Sequence, residues 1–97
     1  MKREDFVFSV GYQGNSMIVD SRAARKYGSA DTRELAEKGL FRSALCSALY
    51  SGDPGELDLV REVYNRAGGT SYDSPEYMKR LLGVYSPPAP GVKAVRL

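Results

Sequence analysis

Histidine and tryptophan are absent from this chain, and cysteine occurs once. Without histidine there is no commonest general base near neutral pH, no commonest metal ligand and no histidine-based nucleophile triad. The single thiol, Cys46, has no second cysteine with which to close an intramolecular disulfide, which agrees with a reducing compartment. No apolar run approaches the roughly 18 residues of a membrane span. The opening MKRED carries no signal-peptide hydrophobic region, so the expectation is a cytoplasmic protein. Charge of one sign is also scarce: the net charge is +2, too small to argue by itself for nucleic acid or a membrane. No GxGxxG, phosphate loop, metal-ligand spacing or internal repeat is present, so no cofactor and no metal are expected.

What remains is ordinary globular composition. A chain of 97 residues with 42% apolar and 27% charged side chains is long enough for one modest core. The strongest apolar pattern runs from Asp31 to Gly52. Leu35, Ala36, Leu40, Phe41, Ala44, Leu45, Ala48 and Leu49 recur at helical spacing and define one buried stripe. Asp31 with Glu34 forms a capping box at its start, and Gly52 before Asp53-Pro54 marks its stop. The pattern predicts one helix from about Thr32 to Tyr50, with a break at Gly39 into a helix-turn-helix as the alternative, since glycine inside a helix costs roughly 1 kcal/mol. The stripe's small members, Ala36, Ala44 and Ala48, allow another element to approach closely.

Around this stretch the sequence predicts a strand from Phe6 to Tyr12 by its alternation and a second from Ser16 to Asp20, joined by Gly14-Asn15. That register sets Tyr12 opposite Met17 and Val10 opposite Val19, with the larger apolar residues on one face. A short helix follows over Ser21 to Gly28. Asp53-Pro54 with Glu56 as a capping box starts a longer one that ends at Gly68-Gly69. Ser74-Pro75 opens a helix to Leu82, offering Tyr77 or Met78, Leu81 and Leu82 to the core. Three prolines in Ser86 to Pro90 call for extended chain. The closing VKAVRL fits an added strand or a tail. The expected class is α+β: an N-terminal β-hairpin packed against three or four α-helices, the longest about residues 32–50, within a domain of residues 1–85 followed by a Pro-rich extended tail, 86–97.

No residue set supports catalysis, and a non-enzymatic chain is expected. Cys46 reads as a structural thiol, and Asp5, Asp20, Asp31 and Asp53 stand near element ends, where caps and turns use them. Tyrosine is the abundant aromatic, with seven copies. Tyr72 and Tyr85 fall in predicted loops and are the candidate partner-binding residues. Together with the open hairpin edges and the small-residue stripe they favour a small protein-protein interaction or regulatory module, with homodimerisation one of its forms.

A second reading comes from Thr32-Arg33-Glu34-Leu35-Ala36 and Gly39-Leu40-Phe41-Arg42-Ser43-Ala44-Leu45. This run resembles the helix-turn-helix of phage Cro-type repressors, in which an alanine precedes a turn glycine. It departs from that motif in the spacing of three from Ala36 to Gly39, where the motif has four, and in a second half whose only charge is Arg42. The resemblance implies a DNA-binding regulator, with Arg22, Arg25, Lys26 and Arg42, aided by Lys2 and Arg3, as nucleic-acid contacts.

Overall fold

In the computed structural model, which describes residues 2–84, 86–89 and 91–97, the long central stretch is two helices. Helix α3, Thr32–Glu37, begins at the expected capping box: Asp31 accepts from the Glu34 amide at 2.8 Å, and Glu34 accepts from the Asp31 amide at 3.3 Å. It ends at Gly39, whose φ is +80°. The Gly39 amide donates to Ala36 and the Leu40 amide to Leu35, both at 3.0 Å, which is the Schellman pairing of a helix stop. Leu40 then serves as N-cap of α4, Phe41–Ser51, which closes at Gly52 with φ +72°. The predicted continuous helix 32–50 is therefore corrected. The apolar phase runs on through Gly39 because both helices bury the same side, but periodicity alone does not report a turn that preserves phase.

Ala44 to Ala48 are five consecutive buried residues. At 100° per residue they span the whole circumference, so α4 is the core helix and the rest of the chain encloses it. Helix α1, Arg3–Val7, α3, α5 and α6 all pack on it. Helix α5, Pro54–Gly68, is the longest at 15 residues, and α6 covers Pro75–Leu82. Helix α2, Ser21–Tyr27, is capped by Asp20, which accepts from the Ala23 amide at 3.1 Å. The described residues thus hold six short helices where three or four were expected. None is long and apolar enough to cross a membrane.

The predicted strand Phe6 to Tyr12 also needs correction. Phe6 and Val7 belong to α1, and β1 is Ser9–Gln13. Phe6, Val7 and Phe8 are all buried, so the first half of the apparent alternation is not strand packing. Strand β2, Ser16–Val19, pairs antiparallel with β1 in the expected register at Gln13 with Ser16 and Tyr12 with Met17. A bulge between Ser9 and Gly11 then puts Ser9, and not Val10, opposite Val19. Val10, displaced by the bulge, remains 58% exposed, and Tyr12, although opposite Met17, is 55% exposed, while Met17 and Val19 are fully buried. The closing segment resolves as a strand: β3, Lys93–Arg96, lies parallel to β2, giving the order β1-β2-β3.

A Cβ placed on Gly39 would meet nothing within 4 Å, so only backbone conformation resists substitution there. Gly39→Ala is expected to lower stability by about 1–2 kcal/mol, the cost of a left-handed residue carrying a Cβ, seen as a lower urea midpoint at unchanged slope. Gly39→Asn should lose less.

Candidate functional site

The described residues contain no group of three or more His, Cys, Asp or Glu side chains placed to hold a metal ion. The feature with most structure behind it is a row of rings running from α4 through α5 and the loop after it to α6. Asn65, on α5, works as a latch for the loop that follows. Its side-chain oxygen accepts from the Thr70 hydroxyl at 2.8 Å and the Tyr72 amide at 3.0 Å, and its nitrogen donates to the Tyr72 carbonyl at 2.8 Å. Arg61, paired with Asp58 at 2.8 Å, donates to the same carbonyl at 3.0 Å. With its backbone held this way, the Tyr72 ring meets Tyr64 at 6.0 Å and stacks on Tyr77 at 5.6 Å. Tyr64 in turn sits edge-on to Phe41 at 5.0 Å.

The row therefore runs from the core outward. Phe41, Tyr64 and Tyr72 are half-buried, and Tyr77 is 50% exposed. Leu81 follows Tyr77 by one helical turn and is 48% exposed. The Arg80 guanidinium carbon lies 5.9 Å from the Tyr77 ring centre. Met78, one residue from Tyr77, is fully buried. The choice between Tyr77 and Met78 for the core is thus decided for Met78, and Leu81 stays out with Tyr77. Tyr72, expected as an exposed loop residue, is the half-buried support of its neighbour. Tyr85 lies outside the described residues. Arg80 was not singled out from sequence, and Tyr77 and Leu81 were named there only as candidates for the core. The available signal was that Tyr77, Met78, Leu81 and Leu82 are more apolar residues than one face of a two-turn helix can bury.

The basic residues divide into different settings. Arg22, Arg25 and Lys26 are exposed on α2. Lys26 lies 5.2 Å from the ring centre of Tyr27. Arg25 adjoins Lys2 and Arg96 along one cleft and Arg22 along the next, but Glu4, Asp5 and Asp20 line the same clefts. Arg42 is elsewhere, half-buried and donating to the Ser9 carbonyl and, at 3.3 Å, to its hydroxyl. Arg3 faces inward, donating to the Ala30 carbonyl at 2.8 Å and the Ser47 hydroxyl at 2.9 Å. The helix that the Cro-type resemblance assigns to recognition is α4, which is buried over Ala44–Ala48 and half-buried over its first turn. Ala36, Ala44 and Ala48 are likewise used inside the core.

One further hollow, about 280 Å³, lies between the Pro-rich segment and β1, lined by Phe6, Ser9, Tyr12, Arg42, Pro87 and Pro88 among others. Cys46 is fully buried and interacts with Arg42 and Ser9, two of the residues that line this hollow. Desolvation pushes the thiol up to about 11, with the Arg42 charge and a Ser9 hydrogen bond offsetting only part of that rise. It is a protonated thiol at neutral pH, as a structural cysteine should be.

No family model matches this chain, and neither a curated protein nor a solved structure is detectably similar to it.

The thiol supplies a test of the interior. With a pKa of about 11 against an ordinary value near 8.5, the thiolate fraction at pH 8 falls by roughly two orders of magnitude. Native protein at pH 8 is expected to react with a thiol reagent at least that much more slowly than protein in denaturing urea. Prompt stoichiometric labelling of the native chain would contradict the burial.

Proposed function

We propose that this chain is a non-catalytic protein-association domain whose contact surface is the outer face of α6, formed by Tyr77, Arg80 and Leu81 on the support of Tyr72. The observation that carries this reading is the pair Tyr77 and Leu81, one turn apart on one helix and about half exposed while the same helix buries Met78. Tyrosine and arginine over an apolar base are the side chains that dominate interface energetics. The Asn65 latch fixes the stack before any partner arrives, which lowers the ordering cost of binding. Such a face suits a partner that brings an apolar side chain to the ring and a carboxylate to Arg80.

A partner retained on the immobilised chain should lose about thirtyfold or more in affinity on Tyr77→Ala, corresponding to roughly 2 kcal/mol for an interface anchor. Leu81→Ala should act in the same direction; because Tyr77→Ala also removes the ring contact with Tyr72, about 0.5–1.5 kcal/mol of stability, binding is compared well below its unfolding transition. Retention that is indifferent to both substitutions would remove the reading.

The second reading, nucleic-acid binding, is favoured by Lys2, Arg22, Arg25 and Arg96 standing around two adjoining clefts, and disfavoured by the three carboxylates among them. It would use α2 in place of α4. It calls for duplex binding that weakens steeply with salt and falls further in the double variant Arg22→Ser/Arg25→Ser. A chain that fails to bind duplex at low salt does not have this activity.

A further inference from the structure

The guanidinium groups of this chain are of two kinds. Arg3, Arg42 and Arg61 donate to carbonyl oxygens, Arg33 pairs with Glu37, Arg80 lies over the Tyr77 ring, and Arg96 holds the Asp5 carboxylate side-on at 3.1 and 2.6 Å. Among the described residues, Arg22, Arg25 and Arg66 have neither an ion pair nor a hydrogen-bond acceptor. Arg66 stands alone near the end of α5. Arg22 and Arg25 stand together on α2, one turn apart and exposed, with Lys26 beside them and no acidic residue on the helix. Like charges three and four residues apart repel along a helix face, and α2 buries no residue fully that would offset the cost.

These cations border concave ground. Arg25 is the shared wall of two adjoining clefts of about 350 and 340 Å³, with Lys2 and Arg96 in the first and Arg22 in the second. Both volumes lie at the lower end of those that take small molecules. The carboxylates of the clefts are largely committed elsewhere. Asp5 belongs to Arg96, and Asp20 accepts from the Ala23 amide at 3.1 Å as the cap of α2. Glu4 shares the first cleft with Lys2. Neither Glu4 nor Asp20 makes an ion pair with Arg22 or Arg25, so these two guanidiniums face the clefts unanswered.

We propose that the paired clefts beside α2 bind a small molecule bearing a diphosphate group, seated on Arg25 with Arg22 on one side of it and Lys2 on the other. The planar fork of arginine matches phosphate oxygens, and two phosphates joined in one group bring the negative charge that adjacent unanswered cations attract most strongly. The rim carboxylates select for a compact ligand. A duplex laid along α2 brings its successive phosphates towards Glu4 and Asp20, whereas a diphosphate needs only the cations around Arg25. The site shares its cations with the nucleic-acid reading but takes a different ligand, and it does not rest on the α6 face.

The test titrates the full chain in low-salt buffer with inorganic pyrophosphate, inorganic phosphate and a short DNA duplex, read by calorimetry and by the shift in unfolding temperature that a ligand of the folded state produces. Pyrophosphate is expected to bind one per chain and more tightly than phosphate. Arg25→Ser should weaken it about tenfold, the loss expected for one charge-assisted hydrogen bond, and Arg22→Ser should act in the same direction. Arg66→Ser removes the same charge from an exposed position outside both clefts and should leave binding unchanged. Neither cleft variant should lower the urea midpoint, since each relieves repulsion on α2. Adenosine diphosphate binding more tightly than pyrophosphate also supports the proposal and names a nucleotide as the source of the group. Equal losses in Arg66→Ser and Arg25→Ser would mean general charge attraction, and the proposal fails. It fails too if pyrophosphate produces neither heat nor a thermal shift, or if the duplex binds where pyrophosphate does not, which would give these cations to nucleic acid. Tyr77→Ala should leave pyrophosphate binding unchanged, which separates this outcome from that of the α6 surface.

Discussion

Ser47 sits in the stretch of α4, Ala44–Ala48, that is buried on every side, and the hydroxyl it brings into the core has to be hydrogen-bonded. It receives the Arg3 guanidinium from α1 at 2.9 Å and shares a hydrogen bond with the Thr32 hydroxyl of α3 at 2.8 Å. Thr32 then donates to the Glu56 carboxylate of α5. A guanidinium and a carboxylate are thereby joined through two hydroxyls, and four helices are tied across their common centre. Among the described residues no buried side-chain polar atom is left unsatisfied. The sequence reading of Glu56 as the second half of a capping box is corrected by this network. Asp53 caps α5 by accepting from the Gly55 amide at 2.8 Å, and Glu56 is turned to Thr32 instead. Because an unmet buried donor or acceptor costs about 1–3 kcal/mol, the brace fixes which way α1, α3 and α5 face α4 more firmly than apolar contact alone would.

The surfaces follow from that enclosure. Helix α6 packs against both α4 and α5, burying Met78 and leaving Tyr77 and Leu81 about half exposed. The ring row converts a local latch into a rigid surface: three ring contacts link Phe41 to Tyr77, each worth about 0.5–1.5 kcal/mol beyond its buried area. The sheet treats its two edges differently. The β1 edge is disrupted by the bulge, and Arg42 takes the Ser9 carbonyl. Such devices discourage pairing with another chain. The β2 edge is instead filled by β3, and that occupant is held mainly by backbone bonds and one ion pair.

Local signals in the sequence were reliable wherever a single turn or cap decides the outcome. The Asp31 and Glu34 capping box, the Gly52 stop, the Pro54 and Pro75 starts and the Gly14-Asn15 turn all stand where the residues placed them, because each depends on atoms within a few positions along the chain. The α+β class followed from the same signals. Tertiary structure decided what such local rules leave degenerate. Gly39 could sit within a helix or end one, and it ends one because Leu35 and Leu40 reach the same core on either side of the turn. Phe6 and Val7 could read as strand or helix, and both are buried on the short helix α1 that packs against α4. VKAVRL pairs as a strand because β2 has a free edge and Asp5, ninety-one positions away, needs a cation that local sequence cannot supply. The candidate surface was only half legible for the same reason. Tyrosine content pointed to Tyr72, but which rings face water depends on how much of α6 the completed core can accept.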